Sequence, residues 1–430
     1  MSKEVNVGTK KNIMNMFAKD MKKSGVLELS RVDFMQSTGF DLIDINNGSI
    51  DKETGKIHMG FNHGRIFYTL SRPGCGKTAL CIQIAKNMCH NFPNSQIYHL
   101  DIEHGTNSIR IKNLTGISEK EVYNPDKDEF NDDVFYYLIQ RKNTTESLHH
   151  LICKLYDFKM ENKNDLVIEM KDTSGTVQEV LPPTIIILDS LGALSSKNSI
   201  ENDELNNNMA GGSSAKANNS LFKQDQSKLE EANIHLFIIN QITDDINISF
   251  TPKAAIMNFM KQGEALSGGK MSQYFADCMI KLVSSDKYGI KDERYGEGLS
   301  GFIIKFELIK SRNAKAGKIF SMVYEQERGY INELSNLEAF YDNGLLEGKS
   351  SFNFPGSDIK FTRKNFLTKL ESDDRLKESY NNTIEKLKVL LITRNAEEDE
   401  QESTNIEPEI KTSRRKKSVV EETTQEEASE

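Results

Sequence analysis

Eight consecutive residues, Ser71-Arg72-Pro73-Gly74-Cys75-Gly76-Lys77-Thr78, place backbone freedom, a cation and a hydroxyl in the order that phosphate binding needs. In such a P-loop, successive backbone N–H groups curl around phosphate oxygens and the lysine reaches the β and γ oxygens. The threonine hydroxyl ligates magnesium at a helix N-terminus. The chemistry implied is nucleotide binding, with ATP and Mg2+ as cofactors. The full pattern G-x-x-x-x-G-K-[ST] has glycine where this chain has Ser71, and Gly74 supplies compensating freedom nearby. An apolar run at 66–70 precedes the loop and a helical stretch at 78–89 follows it, which is the context the motif requires.

A magnesium site of this kind also needs a carboxylate at the end of a neighbouring buried strand. Ile185-Ile186-Ile187-Leu188-Asp189 provides one, so Thr78 and Asp189 are the expected metal residues. Asp189-Ser190 also has the residue types of a helix N-cap. Hydrolysis further requires a group that orients or deprotonates water. The run Ile97-Tyr98-His99-Leu100-Asp101 leads into Ile102-Glu103-His104-Gly105, making Glu103 the candidate general base.

These residues must be positioned by a fold. From residue 64 onward, strand-length apolar runs alternate with helical stretches at 65–70, 78–89, 96–100, 184–188, 221–232 and 235–240. That alternation predicts an α/β fold with a mainly parallel sheet covered by helices. Later runs at 278–283, 301–309 and 319–324 have short polar connections and extend the sheet with antiparallel strands. Residues 118–178 are polar and read as an elaboration between core strands, with a helix at 145–159. Apolar residues Ile13, Met16, Phe17 and Met21 recur at helical spacing before Gly25, predicting a short amphipathic helix over 10–23. The division expected is an N-terminal arm (1–30), the ATPase core (31–343), a small helical C-terminal region (344–394) and a tail (395–430).

The 430 residues are 37% hydrophobic and 28% charged, an ordinary globular composition. Apolar runs are strand-length, so no membrane association is expected, and the first residues lack a secretory signal, which points to the cytoplasm. Five cysteines without a C-x-x-C pair support neither a disulfide framework nor a zinc site. Cys89-His90 near Cys81 reads as packing on the helix after the loop. The net charge of −9 is concentrated in the tail, where twelve acidic residues face five basic ones for a net of −7. The other −2 leaves room for a basic groove. The tail has almost no large apolar side chains and is expected to be disordered. Its Arg414-Arg415-Lys416-Lys417 run is a phosphate-binding patch or part of a mixed-charge solvated tail.

The order Ser37-Thr38-Gly39, Gly64-Arg65-Ile66, the loop at 71–78, Asp101-Ile102-Glu103-His104, Leu188-Asp189-Ser190, Ile239-Asn240-Gln241 and Ser267-Gly268-Gly269 resembles the RecA recombinases over about residues 30–345. Ala215-Lys216, Ser220-Leu221-Phe222-Lys223 and Lys310-Ser311-Arg312 look most like the branch found in large tailed bacteriophages. The resemblance implies a RecA-like P-loop core and Glu103 as catalytic carboxylate. It implies that Gln241 senses the γ-phosphate, and that Lys310 and Arg312 reach a neighbouring subunit's nucleotide. DNA would be held by two loops, 206–219 with Gly211, Gly212 and Lys216, and 242–267 with Phe250, Lys253, Phe259 and Lys261. The activity implied is a DNA-dependent ATPase that forms a homo-oligomeric helical filament on single-stranded DNA, pairs it with homologous double-stranded DNA and exchanges strands. A single-strand-binding protein and a loading mediator are the partners expected of that activity, and the 10–23 helix is its docking arm. A hexameric helicase on the same core, or a filament scaffold with little hydrolysis, are the alternatives.

Overall fold

The computed structural model describes residues 34–123, 133–141, 143–201, 210–244, 264–268, 271–289, 291 and 293–404. The expected 10–23 helix and the basic cluster at 414–417 lie outside them. One ten-stranded sheet organises the chain. Its strands are β1 (Ile66–Ser71), β2 (Gln96–Asp101), β3 (Tyr136–Ile139), β4 (Thr184–Asp189), β5 (Ile234–Asp244), β6 (Glu264–Leu266), β7 (Cys278–Tyr288), β8 (Gly301–Ser311), β9 (Ile319–Glu325) and β10 (Gly329–Tyr330). The order across the sheet is β10-β9-β8-β7-β1-β5-β4-β2-β3, with β6 paired to the end of β5. From β7 through β3 every pair is parallel. β8, β9 and β10 extend the β7 edge antiparallel.

The central strands are apolar along their whole length because both faces are covered. Phe67, Ile185, Ile187, Phe237 and Ile239 face one core, shared with helix α1 (Lys77–Cys89). Ile66, Tyr68, Leu70, Ile186, Leu188, Leu236 and Ile238 face the other. The second core is closed by the helices α3 (Thr145–Glu161) and α4 (Ala210–Glu231) through Leu148, Ile152, Leu221, Phe222 and Leu229. Between β2 and β3 lies α2 (Ser108–Thr115), started by Asn107, whose side chain accepts from the Arg110 amide, and ended by Gly116 at φ 69°. The result is a mixed α/β architecture with a large, mostly parallel central sheet flanked by helices, as the alternating pattern predicts.

Three expectations need correction. The 118–178 segment contributes a core strand, β3, at the sheet edge: its Tyr-Tyr-Leu-Ile run is short, yet Tyr136 is fully buried there. Residues 210–219, expected to be part of a loop, form the first turns of α4. Their serines and asparagines would favour a loop if solvated, but tertiary partners satisfy them. Ser199 and Ser213 share a 2.6 Å hydrogen bond, Ser214 accepts from the Ser196 amide, and buried Asn218 accepts from Thr145 at 2.7 Å. The expected helical C-terminal region packs on the core: Phe352, Phe354 and Phe361, with Phe366 from α6 (Phe366–Ser372), join the same cluster as α5 (Asn332–Asp342). Finally, α7 (Asp374–Thr404) runs ten residues into the segment expected to be disordered. Residues 396–402 contain Ala, Glu and Gln, good helix formers that prolong an existing helix without a nucleation cost.

Candidate active site

Strand β1 is buried throughout and ends at Ser71. The chain then turns through Arg72–Gly76, with Gly74 at φ 81° and Gly76 at φ 75°, a region that favours glycine. A Cβ on Gly76 would also lie 2.9 Å from the Tyr330 hydroxyl and 3.0 Å from the Tyr324 ring. Lys77 opens α1, and its buried ammonium folds back over the loop to Ser71 Oγ at 3.1 Å and the Arg72 carbonyl at 3.3 Å. Burial lowers its pKa, opposed by the nearby Cys75, Asp189 and Glu103. A loop of this shape, with a cation over it and a helix beginning beneath it, can hold an anion.

Register sets the partners. Gln241 pairs with Ser71 across β5 and β1, and Asp189 pairs with Asp101 across β4 and β2, so four polar residues share the carboxyl ends of adjacent parallel strands. The Thr78 hydroxyl donates to Asp189 Oδ2 at 2.6 Å. Burial pushes the Asp189 carboxyl up to about 6, with Glu103 and Asp101 adding in the same direction. A hydroxyl and a crowded carboxylate of this kind fit a hard divalent cation, which relieves the repulsion.

Glu103 follows β2 on a short loop. Asp101 anchors that loop, accepting from the Gly105 and Thr106 amides at 3.1 and 2.9 Å and from Gln140 at 2.8 Å. The Ser190 hydroxyl donates to Glu103 Oε1. Gln241 Nε2 donates to both Glu103 oxygens, at 3.1 and 3.0 Å. The Ser71–Thr78 loop, Asp189, Glu103 and Gln241 are thus gathered at one end of the sheet.

Lys310 and Arg312 are not gathered there. Lys310 lies level with Met279, which lies level with Tyr68, and the Arg312 amide bonds to Asp277, whose own amide bonds to Ile66. That places Arg312 roughly 17 Å back along β1 from Ser71. Both cations turn onto the Tyr274 carbonyl, Lys310 at 2.7 Å and Arg312 at 3.5 Å. Burial lowers the Lys310 pKa, and Arg312 lowers it further. Of the expected DNA residues, Lys216 is exposed on α4, and Gly211 and Gly212 lie in its first turn. Phe250, Lys253, Phe259 and Lys261 lie outside the described residues. The ends of that segment are held together: Ile242 to Asp244 pair antiparallel with Leu266 to Glu264.

Several residues without an expected role belong to the site. Asn240 bonds Tyr68 Oη and the Ser267 carbonyl, each at 2.8 Å, and accepts from the Gln241 amide, fixing where Gln241 points. Buried Glu264 lies 3.8 Å from Arg72 of the loop and 3.5 Å from Lys281 on β7. Arg110 donates to Tyr324 Oη at 2.9 Å, and Tyr330 donates to the Cys75 carbonyl at 3.0 Å, walling the loop on the β9 side. Asp101, Ser190 and Asn240 sit inside motifs legible in the sequence. Glu264, Arg110 and Gln140 carry no such signal, because only the fold brings them near.

Cys89 is buried, with its thiol toward the Gln96 and Pro183 carbonyls, while His90 pairs with Glu121. Among the described residues, no helix is long and apolar enough to cross a membrane. No family model matches the chain, and no curated protein matches it.

Proposed function

We propose that this chain is an ATP-dependent recombinase of the RecA kind, which coats single-stranded DNA as a filament, pairs it with a homologous duplex and exchanges strands. The observation that carries this reading is the bond between Glu103 and Gln241 beside the 71–78 loop. It joins the group suited to deprotonating water to the strand that leads into the 245–263 segment.

In this reading Lys77 and the loop amides bind the β- and γ-phosphates, and Thr78 with Asp189 would hold the magnesium ion. Magnesium, when bound, neutralises charge on the phosphates. Glu103 accepts a proton from the attacking water at a carboxylate oxygen, with Ser190 keeping that carboxylate oriented. Gln241 exchanges its bond to Glu103 for the γ-phosphate. Because Asn240 and the β5–β6 pairing fix its backbone, that exchange is felt in residues 245–263, where Phe250, Lys253, Phe259 and Lys261 would meet DNA. Glu264 closes the segment's other end against Arg72 of the same loop, which gives a second route between nucleotide and DNA. Lys310 and Arg312 lie too far from their own loop to serve it. Their role is toward the loop of the next copy in a head-to-tail assembly, with nucleotide between subunits.

The test is a strand-invasion assay with homologous and heterologous duplexes, with and without ATP. Joint molecules that require both ATP and homology are expected. Duplex unwinding without pairing would replace this reading with a helicase, and homology-independent binding without phosphate release would replace it with a scaffold.

A further inference from the structure

We propose that His149, Cys153 and Asp225 form a binding site for a zinc-class divalent cation between α3 and α4, with the Lys228 ammonium as a resident place-holder that the metal displaces. His149 and Cys153 are four residues apart on α3 and so share one face of it. Asp225 and Lys228 come from the facing stretch of α4. The imidazole Nδ1 lies 2.7 Å from Asp225 Oδ2, and the Cys153 thiol lies 3.6 Å from His149 Nε2 and 3.9 Å from Nδ1. The three donor atoms therefore fit within one coordination shell, since they all lie within 4.8 Å of one another.

A cation already occupies the cluster. Lys228 Nζ sits 2.9 Å from Cys153 Sγ and 3.0 Å from Asp225 Oδ1, bridging the thiol and the carboxylate. Asp225 is 1% exposed, so its charge requires a positive or hydrogen-bonding neighbour. Lys228 and His149 supply it here. The Lys228 side chain is 28% exposed and flexible, so it can swing into solvent when a stronger cation arrives.

The donor set selects the ion. One sulfur, one imidazole nitrogen and one carboxylate oxygen match zinc, which takes four ligands, and solvent at the part-exposed imidazole leaves the fourth for water. Magnesium and calcium prefer all-oxygen shells, so this site does not compete for the ion that Thr78 and Asp189 would hold. Among the five cysteines, Cys75, Cys81, Cys89 and Cys278 are buried and Cys153 alone is partly exposed. A metal here clamps α3 to α4, the helix that carries Lys216.

The test uses the full chain, stripped with a chelator and titrated with Co2+ and then Zn2+. One equivalent of Co2+ should give the near-ultraviolet absorbance of a cobalt–thiolate bond, which Zn2+ abolishes. Cys153→Ser should remove the band, and His149→Ala should weaken affinity at least tenfold. Lys228→Met, which vacates the seat, should tighten binding severalfold. Absence of the band at one equivalent would overturn the proposal, as would its persistence in Cys153→Ser or weaker binding by Lys228→Met. Circular dichroism of each variant checks that the fold is kept.

Discussion

Gln241 grips Glu103 by both carboxylate oxygens, at 3.1 and 3.0 Å, although 138 residues separate them in the chain. Gln241 also pairs in register with Ser71, so the carboxylate is tied to a strand that abuts the 71–78 loop.

That contact makes the two side chains separable by experiment. Glu103→Gln should lower ATP hydrolysis by about 10²–10⁴ while leaving nucleotide affinity nearly unchanged, because a general base acts on the water rather than on the phosphates. Gln241→Ala should keep measurable basal hydrolysis but lose its stimulation by single-stranded DNA. Phosphate release with and without DNA reads both. Hydrolysis by Glu103→Gln at the parental rate would remove its assignment as base.

Arg312 lies at the opposite end of β1 from Ser71, so its loss should be complemented between copies. Arg312→Ala alone should reduce turnover by roughly 10² or more, and Lys77→Ala alone should abolish it. An equimolar mixture should recover about a quarter of the sites, since one pairing in four joins an intact loop to intact cations. A mixture with no more activity than its components would place the cations in cis.

Asp189 makes the nucleotide-free protein sensitive to pH. Burial raises its folded pKa to about 6, above the ordinary aspartate value of 3.8, so the folded state prefers the protonated acid. Its contribution is fully present below pH 3.8 and is lost as pH rises through 6, amounting to about 3 kcal/mol. Asp189→Asn should remove that part of the pH dependence in denaturant melts between pH 4 and 8. Because magnesium requires the ionised carboxylate, stabilisation by Mg2+–ATP should weaken below pH 6 in the parent chain.

Gly76 and Gly116 both have positive φ, at 75° and 69°, yet a Cβ at Gly116 would meet nothing within 4 Å. Gly116→Ala should therefore cost only the conformational term, about 1–2 kcal/mol. Gly76→Ala should cost more, because Tyr324 and Tyr330 must move, and should weaken ATP binding at least tenfold. Denaturant midpoints and nucleotide titration of the two variants provide the comparison.

The loop at 71–78, its flanking strand and helix, and the carboxylate ending 185–189 were legible because each is local. Apolar runs ending in polar residues are what a parallel sheet buried on both faces and open at its carboxyl ends demands. Residues 210–219 depart from their local preference for the converse reason. Their polar side chains are satisfied by Ser196, Ser199, Thr145 and Gly268, all distant in the chain, and those bonds sustain a helix that local preference opposes.

By itself, then, the sequence determined the strand–loop–helix around Lys77, the α/β alternation and the approximate positions of the acidic residues, since periodicity and short motifs act over a few residues. Tertiary structure alone decided that Gln241 meets Glu103, that Arg312 sits at the far end of β1 from its own loop, and that Asp225 meets the His149–Cys153 pair. Those outcomes depend on strand order and register, which bring side chains together across the sheet and between facing helices, distances over which neither spacing nor composition carries information.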